Sequence, residues 1–167
     1  MKKCSNPKKK KSHCNEKIIA FLVSFAIVFV VAFLGSMFTK DDVKSAWYYE
    51  NKPFFTPQNW VFPVAWAILF ILIAVAMAIS WLSARPYQKA AVAFGYGANL
   101  FFNLMWSFLF FFMRLPVFAL VDIVLLWCSI WYLVVFNWRI NKTAAWLLVP
   151  YLLWVTFATA LNLFFII

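Results

Sequence analysis

The sequence predicts an all-α membrane protein, a bundle of five transmembrane helices with a long loop between helices 1 and 2. Hydrophobic residues make up 66% of the 167 residues and charged residues only 12%, whereas a soluble domain carries about a quarter charged residues. The apolar residues also form five stretches, each longer than the roughly 20 residues that a helix needs to cross about 30 Å of hydrocarbon. The predicted spans are residues 18–38, 60–82, 90–113, 115–138 and 143–167.

The five stretches are apolar on every face, which favours helices over strands. A membrane β-strand alternates apolar and polar residues over about ten positions, and only a helix satisfies all its backbone groups within one segment. The first stretch is longer than the apolar region of about 7–15 residues in a signal peptide. We therefore expect residues 18–167 to form one five-helix membrane domain, preceded by a basic, disordered tail at residues 1–17.

The basic residues are distributed unevenly along the chain. Seven precede the first span, and the two short hinges at residues 83–89 and 139–142 place four more on the same side of the membrane, against four on the other side. Cytoplasmic loops carry the excess of Lys and Arg. The N-terminus is therefore predicted to be cytoplasmic, in a bacterial plasma membrane, with the lysine run also attracted to anionic lipids. The membrane lipids, and no nucleic acid, are the partners that this charge pattern predicts.

The residues that could bind a metal are Cys4, His13 and Cys14. Their spacing fits no standard zinc pattern, and a fourth ligand is missing. We expect no metal site. Cys128, inside the fourth span, is expected to pack between helices as a small apolar residue.

The sequence offers little material for conventional enzyme chemistry. Gly95 and Gly97 give a G-x-G pattern, but no strand precedes it and no third glycine follows, so it does not indicate a phosphate site. The one acidic residue inside a span is Asp122. Because a charge in a membrane helix is costly, we expect Asp122 to hydrogen-bond to another helix, through an intramembrane amide of Asn99, Asn103 or Asn162.

The loop between the first two spans, Thr39 to Asn59, is long and rich in aromatic residues. The other connections are short, so consecutive helices should be antiparallel neighbours. A long loop in so small a protein usually has a function. Trp47, Tyr48 and Trp60 either belong to the aromatic belt at the membrane surface or form part of a lid over a ligand cavity.

Three motifs rich in aromatic residues, proline and asparagine stand out along the chain. They are Trp47-Tyr48, Lys52-Pro53, Pro57, Trp60-Val61-Phe62 and Trp66 in the loop and second helix, Asn103-Leu104-Met105-Trp106-Ser107 in the third helix, and Pro150-Tyr151-Leu152-Leu153-Trp154 in the fifth. Together they resemble the TspO/MBR family, the tryptophan-rich sensory proteins related to the translocator protein. The motifs occur in the family's order, and the resemblance extends from the first span to the C-terminus.

The resemblance implies a protein that binds porphyrins, such as protoporphyrin IX or heme, other tetrapyrroles and hydrophobic ligands in a cavity under the first loop. It would act as a sensor, regulator or carrier and would require no cofactor. The alternative is a membrane enzyme that degrades protoporphyrin with light and oxygen. The spacing of Phe62, Trp66 and Phe70, which share one helix face, is compatible with a flat aromatic ligand.

The family's functional residues correspond to specific positions here. Trp66 and Asn103 match the family's hydrogen-bond donors to a ligand carbonyl, and Trp47 and Trp154 match the tryptophans associated with protoporphyrin breakdown. The loop departs from the family at Gln58, where a second proline is usual, and at Phe55, often a tryptophan. The ligand-binding positions that the resemblance implies are Tyr48, Pro57, Trp66, Phe70, Asn103, Trp106, Ala158 and Leu161.

Small residues recur in the third span at Ala91 and Gly95 and at Ala93 and Gly97. Such pairs let helix backbones approach closely in lipid. They predict either the seam of a homodimer or close packing within one bundle, and the two pairs are offset, so at most one lies at a seam.

Overall fold

The computed structural model describes residues 7–40 and 42–167, with the side chains of residues 15–40 and 43–167. All the regular secondary structure in this part of the chain is helical, and it contains no strand. Four helices, α1 from Asn15 onward, α3, α5 and α6, are long and apolar enough to cross a membrane. The all-helical membrane fold is thereby confirmed. The helices are α1 (Pro7–Thr39), α2 (Ala46–Asn51), α3 (Val61–Ser83), α4 (Lys89–Ser107), α5 (Pro116–Ile140) and α6 (Lys142–Phe164).

The prediction and the structure differ most in the third predicted span, residues 90–113. Helix α4 is followed by a π-helical turn, Phe108–Phe112, in which the amide of Met113 donates to the carbonyl of Phe108. Helix α4 is not among the four helices found apolar enough to cross a membrane, and it buries Tyr96, Asn99 and Asn103 inside the bundle. It packs against α1, α3 and α5.

The basic tail predicted at residues 1–17 includes the start of α1, which begins at Pro7. Proline is favoured at the first helical position, and lysine is a good helix former. Cys4 lies outside the described residues, as do the side chains of His13 and Cys14, on which the metal prediction depends.

We call the end of the bundle that contains the buried residues Ser80, Tyr96 and Asn137 the closed half. The hydroxyl of Ser80 on α3 lies 2.6 Å from Oδ1 of Asn137 on α5 and 3.0 Å from the hydroxyl of Tyr96 on α4. All three side chains are fully buried, and so are the small residues around them, which let the helices approach closely. These small residues are Ala74, Ala76, Ala78, Ala144 and Ala145.

The two basic hinges meet at the closed half. Nδ2 of Asn141, between α5 and α6, donates to Oγ of Ser83, at the end of α3, over 3.0 Å. Oδ1 of Asn141 accepts from the amide of Thr143 over 3.0 Å, so that the same side chain caps α6. At the other end of the bundle, the connection between Phe112 and Pro116 turns at Arg114, which has a φ of 54°.

The structure corrects two predictions on α5. Cys128 is exposed instead of packed between helices. Asp122 is buried, but its Oδ2 has no hydrogen-bond partner in the described part of the chain. The amides expected to pair with Asp122 bond elsewhere: Asn99 with Ser129, Asn103 with Tyr151 and Asn162 with Pro116.

Candidate functional site

A cavity of about 340 Å³ occupies the other end of the bundle, which we call the hollow half. Helices α1, α3, α4 and α6 and the π-helical turn form its walls, and the connection at residues 40–60 closes it. Its size and mostly apolar lining are typical of small-molecule sites. The aromatic residues in its lining are Tyr48, Phe62, Trp66, Phe70, Trp106, Phe110, Phe111, Trp154 and Phe165.

The short helix α2 places Tyr48 over the cavity. Oγ of Ser45 caps α2 by accepting from the amide of Tyr48 over 3.3 Å, and the Tyr48 ring is only 7% exposed. Its ring centre lies 6.2 Å from those of Phe111 and Phe165. Burial raises the pKa of the Tyr48 phenol, and the neighbouring Tyr49 raises it further, so the hydroxyl stays protonated at neutral pH. Tyr48 therefore belongs to the lid.

Trp47 and Trp60 differ from Tyr48. Trp60 is 62% exposed, as expected for the aromatic belt. Trp47 lies outside the cavity lining, with its ring centre 4.8 Å from that of Phe165 and 5.9 Å from that of Phe110. The guanidinium carbon of Arg114 lies 5.7 Å from the Trp47 ring centre. Trp47 thus packs against aromatic residues of the cavity wall without lining the cavity, and it attaches the loop to that wall.

Neighbouring helices hold the polar groups at the deep wall. Nδ2 of Asn103 donates to the hydroxyl of Tyr151 over 3.0 Å. Nε1 of Trp106 donates to Oδ1 of Asn162 over 3.1 Å. These contacts fix Asn103 and Trp106 in position. The indole N–H of Trp106 therefore already has an acceptor within the bundle.

Trp154 has a different environment. It lines the cavity, and its Nε1 is buried without a hydrogen-bond partner among the described residues. A buried donor left unpaired costs about 1–3 kcal/mol, and such groups often have a functional role. The Trp154 indole is therefore an unpaired donor in the wall of the cavity. The resemblance implied the donor role for Trp66 and Asn103, and for Trp154 it implied only a part in protoporphyrin breakdown.

Seven of the eight ligand-binding positions implied by the resemblance line the cavity, together with Trp154. Pro57 is the exception. The departures in the loop are accommodated: Phe55 packs edge-on against Phe164 with ring centres 5.3 Å apart, and Oε1 of Gln58 accepts from Nε1 of Trp60 over 2.6 Å. The positions in the lining are Tyr48, Trp66, Phe70, Asn103, Trp106, Ala158 and Leu161.

Sequence reasoning missed the wall formed by α1 and the two lysines of the loop. Gly35 on α1 faces the cavity close to Ser107, and Lys40 and Lys52 line it at the loop end. The first span reads as uniformly apolar, so no polar stripe marked its inner face. Gly35 and Ser36, the small residues near its end, were the available signal.

The fold and site together define a helical membrane protein with an aromatic cavity beneath a lid. Residues 24–167 match the model of the TspO/MBR family, and the chain belongs to that family, which confirms the resemblance. It is 39% identical over 153 residues to the tryptophan-rich protein TspO of Chlorobaculum tepidum, covering 89% of this chain and 94% of that protein.

Two further relatives show how widely the similarity extends. The tryptophan-rich protein TspO of Archaeoglobus fulgidus is 37% identical over 145 residues, covering 87% of this chain and 94% of the relative. The human translocator protein is 32% identical over 133 residues, covering 78% of each chain. The similarity therefore includes nearly all of the described helices.

Proposed function

We propose that this protein binds porphyrins, other tetrapyrroles and flat hydrophobic ligands in the cavity of the hollow half, and acts as a membrane sensor, regulator or carrier. The observation that supports this most is the unpartnered, buried Nε1 of Trp154 in an otherwise aromatic wall. Aromatic rings stack on a flat ligand, and a single donor orients it. Protoporphyrin IX and heme are the ligands to test first.

The proposal is tested by titrating the protein with protoporphyrin IX in the dark and monitoring the quenching of tryptophan fluorescence. Trp154→Phe should weaken binding several-fold, because one hydrogen bond is worth about 1 kcal/mol. Trp66→Phe and Asn103→Ala should also weaken it, since both side chains line the cavity. Trp127→Phe is the matched control, because that indole donates to Thr156 on the outer surface. Absence of saturable binding to the unsubstituted protein would overturn the proposal.

A second candidate function is the breakdown of protoporphyrin by light and oxygen, with Trp47 and Trp154 as its residues. Trp154 lines the cavity, and Trp47 contacts the lining rings of Phe110 and Phe165 from behind. Both indoles are thus close enough to give an electron to a photoexcited macrocycle, directly or through one ring. Illumination of the complex in air should bleach the porphyrin. Trp47→Phe should slow bleaching without weakening dark binding, and bleaching unchanged in the Trp47→Phe, Trp154→Phe double variant would exclude these residues.

We also propose that α4 is the fifth membrane span and that the N-terminus is cytoplasmic. Helix α4 has 19 residues and the π-helical turn five more, which together reach about 36 Å at the usual rise. The basic hinges at Arg85 and Arg139 share the closed half, where the Asn141–Ser83 bond joins them. A cysteine accessibility assay on whole cells should label position 54 in the loop but not position 87 in the hinge.

A homodimer seam on α4 is a further proposal. A Cβ on Gly95 would lie 2.9 Å from Cδ2 of Leu133 within the bundle, whereas one on Gly97 would meet nothing within 4 Å. The pair of Ala93 and Gly97 is exposed. It is therefore the pair that a second copy could contact.

A further inference from the structure

Two lysines lie in the wall of an otherwise uncharged cavity. Lys40 and Lys52 both line it, and no carboxylate side chain accompanies them among the described lining residues. Asp41 and the side chain of Asp42 fall outside the described part of the chain. A purely apolar ligand would not require cations in the wall, so the two lysines are the groups of this cavity that can recognise negative charge on a ligand.

Both lysines sit at fixed backbone positions. Lys40 follows directly after α1, and its amide donates to the carbonyl of Ser36 over 3.1 Å. Lys52 ends α2, and its amide donates to the carbonyl of Tyr48 over 3.0 Å. The ends of two helices thus bring the two lysines to the same end of the cavity.

Tyr49, which lies outside the lining, supports the lysine at position 52. Nζ of Lys52 lies 4.4 Å from the centre of the Tyr49 ring, a typical cation–π distance. The hydroxyl of Tyr49 accepts from Nδ2 of Asn59 over 2.8 Å, and Asn59 lines the cavity too. Tyr49 is therefore a positioning residue for two polar groups of the lining.

The opposite end of the cavity is uncharged and mostly aromatic, and its amide group, Asn103, is bonded to Tyr151 within the bundle. On α3, Phe70 lies eight residues beyond Phe62, about 12 Å farther along the helix, and the Trp66 ring tilts against Phe70 with centres 5.5 Å apart. The cavity therefore has a cationic loop end and an aromatic deep end.

We propose that the cavity selects amphipathic anions, with the carboxylates of the ligand held by Lys40 and Lys52 and its flat apolar body against Trp66 and Phe70. This rests on the proposed porphyrin binding and assigns the ligand's orientation. Protoporphyrin IX fits because its two propionates project from one edge of the ring. Charge-assisted bonds between ammonium and carboxylate groups are stronger than neutral ones, and a partly dehydrated cavity strengthens them further.

The test compares protoporphyrin IX with its dimethyl ester, which keeps the ring and lacks both charges. The unsubstituted protein should bind the acid about tenfold more tightly than the ester, as expected for the loss of one or two charge-assisted bonds. The Lys40→Gln, Lys52→Gln double variant should lose that preference and keep its affinity for the ester. High salt should weaken binding of the acid only.

Three further variants test whether the preference for the acid comes from the lining lysines and not from positive charge elsewhere in the loop. Lys44→Gln removes a charge from the same connection, but Lys44 does not line the cavity, so it should leave the acid preference unchanged. Tyr49→Leu should reduce the preference, and Tyr49→Phe should retain most of it, since the ring beneath Lys52 remains.

The outcomes distinguish this inference from the proposed function. Equal affinity for acid and ester in the unsubstituted protein, or an unchanged preference in the double variant, would overturn the carboxylate site and leave porphyrin binding standing. Binding of neither compound would overturn both. Comparing both compounds in one detergent, as ratios between variants, cancels their different partitioning into micelles.

Discussion

The closed and hollow halves are built from the same helices but from residues of different size. On α3, the alanines at 74, 76 and 78 are fully buried in the closed half, whereas Phe62, Trp66 and Phe70 line the cavity in the hollow half. Small side chains let helix backbones approach and gain dispersion contact. Large rings hold the backbones apart, and they leave space that a flat ligand can occupy.

The halves differ in their polar groups as well. In the closed half, Ser80, Tyr96 and Asn137 satisfy one another. In the hollow half, Nε1 of Trp154 is buried without a partner among the described residues. A satisfied network rigidifies a structure, and an unsatisfied donor can be stabilised by a ligand. Substitutions in the closed half should therefore change stability, and those in the hollow half should change binding.

The largest effect is expected from Gly95→Leu on the bundle-facing side of α4. Even a Cβ would lie 2.9 Å from Leu133 and 3.2 Å from Tyr132 of α5, and overpacking by a whole leucine costs about 3 kcal/mol or more. The yield of folded protein, measured by size-exclusion chromatography in detergent, should fall severely. A normal yield would show that α4 and α5 can separate without loss of the fold.

Gly97→Leu is the matched control on the same helix, since a side chain there enters open space. This variant should remain folded and still bind protoporphyrin. If the exposed pair of Ala93 and Gly97 forms the dimer seam, it should be monomeric by light scattering. A folded dimer would place the interface on another helix.

An intermediate effect is expected when one alanine is enlarged in each half. Ala76→Leu, in the closed half where Ala76 is fully buried, should lower the free energy of unfolding by about 2 kcal/mol. Ala158→Leu, in the cavity lining, should leave stability nearly unchanged and block porphyrin binding. Thermal melts and titrations of both variants check this, and equal melting temperatures would refute the distinction between the halves.

Composition and span length were sufficient to predict the helical membrane fold, and the resemblance to the TspO/MBR family implied the cavity positions on α3, α4 and α6. Helical periodicity was compatible with those positions. Trp66 and Phe70 share a face because of helical periodicity, and that face is inward in the structure. The sequence left Tyr48 open between the aromatic belt and a lid, and only its burial in the structure assigns it to the lid.

The features that escaped prediction depend on tertiary packing. The π-helical turn at Phe108–Phe112 has no signature in apolar periodicity. The partners of Asp122 could not be assigned, because the sequence contains several intramembrane amides and each is taken by another group. The role of α1 as a cavity wall depends on how closely Gly35 approaches Ser107, which only the assembled bundle determines.

A smaller effect is expected from Asn137→Ala in the closed half. The side chain bonds to Ser80, to Tyr96 and to the carbonyl of Leu133. Its loss should cost about 1–2 kcal/mol, because Ser80 and Tyr96 can still bond to each other. Asn59→Ala is the control in the hollow half, where one exposed bond to Tyr49 is lost, and its melting temperature should stay within about 2 °C of that of the unsubstituted protein. An equal loss in both variants would contradict the comparison.

The smallest expected effect is a gain in stability from Gly35→Ala, at the wall between α1 and α4. The new methyl group would lie 3.6 Å from Oγ of Ser107 and 3.9 Å from its Cβ, which is ordinary van der Waals contact. Alanine is favoured over glycine inside a helix by about 0.5–1 kcal/mol, so the melting temperature should rise by roughly 1–4 °C. Because Gly35 also lines the cavity, protoporphyrin affinity should fall only slightly. Gly35→Leu would fill the wall and should abolish binding while the bundle stays folded, and a Gly35→Ala variant that melts lower than the unsubstituted protein would show that α1 and α4 are packed more tightly here than in the rest of the hollow half.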